Sequence, residues 1–484
     1  METAMEHWLT KRAALIPEAL AIEIANGESW TFAQLYNESI LLAEKLANHI
    51  KKGQHVGLLS NNSLDMIAAF FACTYLEAPV VFLNTRLTKE EIQTQCQTAD
   101  VNLILTTKNL KEKAAFDSVT AYTFSEIHQL DPIAVPIAHT ITMHQLCTMM
   151  FTSGTTGKAK AVMHSFNNHW SSAIASALNL GLLPSDKWLA CLPLFHIGGL
   201  SIILKSVIYG MPVYLLEKFD EQTVHQAIMK HHVSIISVVA VTCSRLINAL
   251  GEGNYPESFR CMLLGGGPAP LSLLKKAQKK GIPIVQTYGM TETSSQIATL
   301  NENDAFRKSG SAGQALFSAR IEIRKRERQL PPMEIGEIAV SGPMVTTGYY
   351  KCEDANSSSF KDGWLLTGDL GYKDMEGFLY VVDRRSDLII SGGENIYPAE
   401  IENCLLSMDA IAEAGVVGQT DPTWGQVPVA FVIKNEPELT SDQILAYCKE
   451  KLARYKIPKH IKFVQSLPRN ATNKLQRHKL LEWL

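Results

Sequence analysis

The chain has 484 residues, 46% hydrophobic and 19% charged, which is enough apolar material for a large core and excludes intrinsic disorder as the main state. Its 45 Lys and Arg nearly cancel its 48 Asp and Glu, so the net charge of −3 supplies no general field for nucleic acid or an anionic membrane. Any anion-binding site must therefore be local.

The N-terminus, Met1-Glu-Thr-Ala-Met-Glu6, is acidic and leads into an amphipathic pattern at Trp8, Leu9 and Leu15, the wrong charge and shape for a secretion signal. The apolar stretch Met66 to Leu76 is bounded by Asp65 and Glu77 and falls well short of the ~18 residues that cross a bilayer. Cysteines 73, 96, 147, 191, 243, 261, 352, 404 and 448 stand singly, without a CxxC pair, which predicts reduced, mostly buried thiols. A cytoplasmic protein without stable membrane insertion is expected.

From residue 54 the pattern alternates: a strand at 54–59, a helix at 64–76, a strand at 79–83, a helix at 89–98 and a strand at 101–105. β-Branched or apolar runs recur at 187–192, 212–216, 233–239 and 260–264. Strands alternating with helices predict parallel sheets covered by helices. From about residue 310 the texture changes to short alternating strands with turn residues, at 319–324, 336–340 and 377–382, which predicts an antiparallel subdomain. The polar run Asp383-Arg-Arg-Ser-Asp387 then marks a domain boundary before a tail with helices at 398–406 and 441–452.

Met150-Phe-Thr-Ser-Gly-Thr-Thr-Gly-Lys-Ala-Lys160 concentrates hydroxyls, glycines and lysines directly after an apolar run. Glycines let backbone N–H groups turn inward as an anion nest, and hydroxyls and ammonium groups add donors and charge, so the segment suits a polyphosphate. It is not a Walker A loop, because the first glycine of that pattern is missing.

This segment resembles the phosphate loop of the acyl-adenylate-forming superfamily, which holds acyl-CoA ligases, luciferases and peptide-synthetase adenylation domains. Ala159 and Ala161 stand where that family usually has Pro and Gly. Tyr288-Gly-Met-Thr-Glu-Thr293 resembles its second nucleotide signature, Gly363-Trp-Leu-Leu-Thr-Gly-Asp369 its ribose motif, and Asp383 to Asp387 its hinge. Leu467-Pro-Arg-Asn-Ala-Thr-Asn-Lys474 is similar to the loop bearing the adenylation lysine, with Asn473 at a usual glycine.

The resemblance implies an α/β, multidomain α+β fold: a large N-terminal domain over 1–382 with two parallel-rich sheets and a small distorted β-barrel, a hinge at 383–387, and a small mobile α+β domain over 388–484. It implies ATP, Mg²⁺ and coenzyme A as cosubstrates and cofactor. Phosphates would lie on Thr152, Ser153, Gly154, Thr155, Thr156, Gly157, Lys158 and Thr291, beside Tyr288 and Gly289. Mg²⁺ would lie on Glu292, ribose on Asp369 and Arg384, and the developing charge of adenylation on Lys474. Ser386 would be the hinge, and Ser391, Gly392 and Gly393 would border the pantetheine channel.

Pro193-Leu-Phe-His196 aligns with the family segment beside the acyl pocket, making His196 a pocket-lining or proton-transferring residue. The segments 176–181, 205–211, 263–270 and 383–398 are similar to those of the o-succinylbenzoate–CoA ligases of menaquinone biosynthesis, with Gly198 at a position expected to be serine. That similarity implies an aromatic dicarboxylic acid as substrate. Gly265, Gly266 and Gly267 would let the ring approach the backbone, and Lys205 would meet the second carboxylate. A ligase for another aryl or medium-chain acid, an enzyme that loads a carrier protein, and a nucleotide sensor stay open on sequence alone. The partners expected are small molecules and no nucleic acid; homo-oligomerisation is compatible with the sequence.

Overall fold

The computed structural model describes residues 4–152, 159–266, 271–301, 304–305, 307–384, 387–391, 394–421, 424–452, 454–470 and 474–484. Residues 153–158, Gly267, Ser386, Gly392 and Gly393, all named above, lie outside these, and Arg384 is described for its backbone alone.

Two helix-covered sheets form the first half. The six-stranded sheet runs Lys160–Ser165, Leu146–Thr152, Val80–Phe82, Val56–Leu59, Leu103–Thr106, Thr120–Thr123, parallel except for its first strand. In the nine-stranded sheet six neighbouring strands, from Ile284–Met290 through Cys261–Leu264, Ile235–Val238, Trp188–Ala190 and Val213–Leu215 to Leu20–Ile24, are parallel. Val56–Leu59, Ile235–Val238 and Cys261–Leu264 are buried at every residue, as strands covered on both faces must be.

One core cluster draws side chains from both sheets and from the helices Leu64–Tyr75 and Ile197–Tyr209, so these helices fill the space between the sheets. Leu64–Tyr75 is capped by Ser63, which accepts from Met66 N–H, and is apolar nearly all round, which suits it to that interior layer. Second and third clusters cover the outer faces.

A further sheet, Arg328–Gln329, Arg320–Lys325, Gly336–Ser341, Trp364–Lys373 and Phe360–Lys361, with Leu379–Arg384 added to Trp364–Lys373, is antiparallel throughout. Antiparallel pairing also occurs before the expected residue 310: Ser29–Thr31 and Lys160–Ser165 are antiparallel edge strands, and Ser295–Leu300 folds back on Ile284–Met290. The C-terminal part has its own five-stranded sheet and its own core, centred on Ile389, Ile401, Val416 and Ile444.

Trp8 and Leu9 are buried as their pattern predicts, but Leu15, the last residue of the helix Trp8–Leu15, is 58% exposed. The nine cysteines are free thiols, seven buried and two half-buried, and burial raises the pKa of Cys73 and Cys147. Among the described residues no helix is long and apolar enough to cross a membrane.

Candidate active site

The chemistry-bearing segments leave the C-terminal ends of parallel strands, where an open α/β sheet offers its crevice. Thr152 ends Leu146–Thr152, Gly265 follows Cys261–Leu264, and Tyr288 and Gly289 lie at the end of Ile284–Met290. Thr152 is paired in register with Lys160, so the phosphate-loop segment joins two antiparallel strands. A Walker A loop leads into a helix instead, which agrees with the missing glycine.

At the second signature the backbone is tightly determined. A Cβ on Gly289 would sit 1.9 Å from the Ser295 carbonyl oxygen, so only glycine fits. Thr291–Thr293 forms a 3₁₀ turn, followed by Ser294 at φ 53° and Ser295 at φ 119°, two consecutive non-glycine residues in the left-handed half of the map. Such backbone persists only where surrounding contacts over-determine it. Here Thr346 N–H donates to the Glu292 carbonyl (2.8 Å), Tyr349 O–H donates to Glu292 Oε1 (3.0 Å), and Ser172 O–H donates to the Ser294 carbonyl (2.8 Å). The Lys160 ammonium lies 5.0 Å from the centre of the Tyr349 ring.

Two signatures meet directly: Tyr288 O–H donates to Asp369 Oδ2 at 2.8 Å. Asp369 is buried, its N–H donates to Thr367 Oγ1 (3.1 Å), and its backbone is paired in register with Arg384. The two ribose candidates thus occupy facing positions on adjacent strands.

Glu292 can serve a hard cation. Among the described residues no group of three His, Cys, Asp or Glu surrounds an ion position. A Mg²⁺ there would take one carboxylate, nucleotide oxygens and water, the set that ion prefers beside ATP.

His196 precedes the helix Ile197–Tyr209. Its segment is fixed by buried Asn62, whose Nδ2 donates to the carbonyls of Leu192 and Leu216 (both 3.0 Å) and whose Oδ1 accepts from Leu194 N–H (2.8 Å). Burial, with Arg86 nearby, lowers the His196 pKa to about 4, and its buried Nε2 has no hydrogen-bond partner among the described residues. A neutral imidazole with so low a pKa is a weak proton acceptor at neutral pH and suits a pocket wall.

Lys205 lies on the same helix and is only 2% exposed, with its ammonium 5.0 Å from the centre of the Trp188 ring. It has no hydrogen bond or ion pair with any described residue, and burial lowers its pKa to about 7. Trp188 is held by its Nε1–H donating to Ser237 Oγ (3.1 Å). Gly266, at φ +80°, follows the strand Cys261–Leu264 on the same sheet.

Lys474 is exposed; its N–H donates to Asn470 Oδ1 (2.8 Å) and its carbonyl accepts from Asn470 N–H (2.9 Å). Ser391 is buried at the end of Ile389–Ser391, paired with Glu394 and Gly425. Tyr349, Thr346, Asn62 and Trp188 were not singled out by sequence. Their roles arise from long-range contacts, and no local motif marks them.

Residues 9–350 match the model of the AMP-binding enzymes, and residues 400–474 match the AMP-binding enzyme C-terminal domain. The chain belongs to the AMP-binding enzyme family. It is 51% identical over 481 residues to the 2-succinylbenzoate–CoA ligase of Oceanobacillus iheyensis, covering 99% of this chain and 100% of that one. Among solved structures it is similar to the o-succinylbenzoate CoA synthetase of Bacillus subtilis in complex with the acyl-adenylate intermediate OSB-AMP, at 46% identity and a TM-score of 0.95, covering 99% and 98% of the two chains. The same Bacillus subtilis enzyme in complex with ATP and magnesium ion matches at 46% identity and a TM-score of 0.94, covering 99% and 100%.

Proposed function

We infer that the chain is an ATP-dependent acid–CoA ligase that converts o-succinylbenzoate, ATP and CoA to o-succinylbenzoyl-CoA, AMP and pyrophosphate, a step of menaquinone biosynthesis. The observation that carries the choice of acid is Lys205, a buried cation with no anion of its own among the described residues, set against a flat aromatic face. An ammonium so placed is costly unless a ligand supplies the opposite charge. A dicarboxylic aromatic acid supplies both that charge and a ring.

In the first half-reaction a carboxylate oxygen of the acid attacks the α-phosphorus of ATP, and pyrophosphate leaves. Thr152 to Lys158 and Thr291 would hold phosphates, Tyr288 and Gly289 would border the nucleotide, and Asp369 and Arg384 would hold the ribose. Mg²⁺ bound at Glu292 would neutralise phosphate charge. Lys474 would stabilise the charge gathering between acid and phosphate. In the second, the CoA thiolate attacks the acyl carbon and AMP leaves, with Ser391, Gly392 and Gly393 along the channel. His196 and residues 265–267 would line the acyl pocket. A large domain over 1–382, a hinge at 383–387 turning on Ser386 and a mobile domain over 388–484 fit the gap between the two family models. A cytoplasmic, small-molecule enzyme, free or as a homo-oligomer, is the setting proposed.

The test is AMP release against a panel of acids, with and without CoA. Release with o-succinylbenzoate should outrun that with benzoate or octanoate, and equal rates would sink the assignment.

A further inference from the structure

Behind the Thr291–Thr293 turn lies a buried chain of three polar side chains that the reaction scheme does not use. Thr148 and His164 face each other in register on the strands Leu146–Thr152 and Lys160–Ser165, and His169 lies on the helix Phe166–Leu180. All three are buried. His164 Nε2 is 2.7 Å from the Thr291 carbonyl oxygen, His164 Nδ1 is 3.2 Å from Thr148 Oγ1, and Thr148 Oγ1 is 2.8 Å from His169 Nε2.

A carbonyl oxygen accepts only, so His164 Nε2 must carry the hydrogen. In a neutral imidazole Nδ1 then accepts, which requires the Thr148 hydroxyl to donate to it. That spends the hydroxyl's one proton, so His169 Nε2 must donate to Thr148. Every group has one consistent direction, and the chain ends on the peptide that joins Thr291 to Glu292.

The neighbouring residue of the same strand works from the other side. The Met163 carbonyl accepts from Thr346 O–H, and Thr346 N–H donates to the Glu292 carbonyl at 2.8 Å. The carbonyls on both sides of the Glu292 residue are thus tied to the strand that leaves the phosphate loop. Without His164, the Thr291 carbonyl keeps the intra-turn bond from Ser294 N–H (3.1 Å), which leaves it paired but free to tilt.

We propose that His164 is a positioning residue for adenylation, its Nε2–H fixing the peptide plane that aims Thr291 and Glu292 at phosphate and metal. This rests on the reading that Thr291 and Glu292 serve those two groups. One neutral hydrogen bond at a paired acceptor changes binding by roughly threefold to tenfold.

The experiment measures ATP–pyrophosphate exchange with o-succinylbenzoate while ATP and Mg²⁺ are varied, for His164→Leu, His164→Gln, Thr148→Val and Glu292→Gln, with melting temperatures alongside. His164→Leu should raise the KM for MgATP roughly threefold to tenfold with the KM for the acid unchanged, and His164→Gln, which keeps a donor, should return within about twofold of wild type. Thr148→Val should shift the same constant in the same direction by less, and it carries the test if His164→Leu does not fold. Equal behaviour of the Leu and Gln variants, or parallel changes in both KM values, would overturn the proposal. If Glu292→Gln leaves the Mg²⁺ dependence untouched, the parent assignment has failed; if it responds while His164→Leu is silent, only the role of His164 has.

Discussion

Replacing Lys205 with methionine should make the protein more stable and a worse enzyme. Methionine keeps the length and fills irregular apolar space, so the helix Ile197–Tyr209 loses a charge but little packing. Burial lowers the ammonium's pKa from its ordinary 10.5 to about 7, and its only ring partner in the described structure is the face of Trp188. Each pH unit of that drop is worth about 1.4 kcal/mol, so holding the charge costs roughly 3–5 kcal/mol after relaxation. The folded pKa is the lower one: below about pH 7 both states are protonated and the folded state bears the full cost. Between about pH 7 and 10.5 the unfolded chain binds the proton that the folded chain has released, so wild-type stability rises through that window. The advantage of Lys205→Met should therefore be largest at pH 6 and shrink by roughly 2–3 kcal/mol by pH 9. A chain of this length changes by about 1 °C per kcal/mol, so calorimetry should show a rise of a few degrees at pH 6 that narrows at pH 9. The same variant should raise the KM for o-succinylbenzoate on the order of ten- to a hundredfold, with little change for a matched monocarboxylate. A gap that does not depend on pH, or equal KM changes for both acids, would refute the reasoning.

Three further outcomes are expected. Gly198→Ser should be accommodated, since its Cβ meets nothing nearer than Leu192 Cδ1 at 3.4 Å; helix propensity should add about 0.5 kcal/mol of stability, and a lower KM for the acid is the readout of a restored hydrogen bond. Lys474→Ala should nearly abolish ATP–pyrophosphate exchange yet spare CoA thioester formation from chemically made acyl-adenylate, because only the first step brings two anions together; equal loss of both half-reactions would make Lys474 structural. Ser386→Pro should slow thioester formation more than adenylation, since proline fixes φ near −65° where a hinge must change it; parallel losses would move the hinge elsewhere.

Elements with strong local signals were legible in the chain. The helix expected at 64–76 spans Leu64–Tyr75, and that expected at 89–98 spans Lys89–Thr98, with Ser63 and Thr88 as capping residues. Periodicity reports which residues along the chain share a face, and says nothing of what lies opposite. Thr291 and Glu292 could be named from their motif, but their supports His164 and Tyr349 stand 127 and 57 residues away. Trp188 read as one apolar residue of a strand until the fold laid Lys205 over its ring. The antiparallel return of Ser295–Leu300 was missed because a strand buried at nearly every residue carries no alternation to reveal its direction.

Asn62 gives the segment before His196 a history as well as a shape. Its partners Leu192 and Leu216 follow it by 130 and 154 residues, so the segment before His196 cannot take its final path until strands of both sheets have been made and have docked. During synthesis the chain would carry Asn62 unpaired for many seconds at about 5–20 residues per second. A nascent chain that has not yet reached Leu216 would thus lack the bonds that set the path before His196, and retention of the acid would mark the assembled molecule.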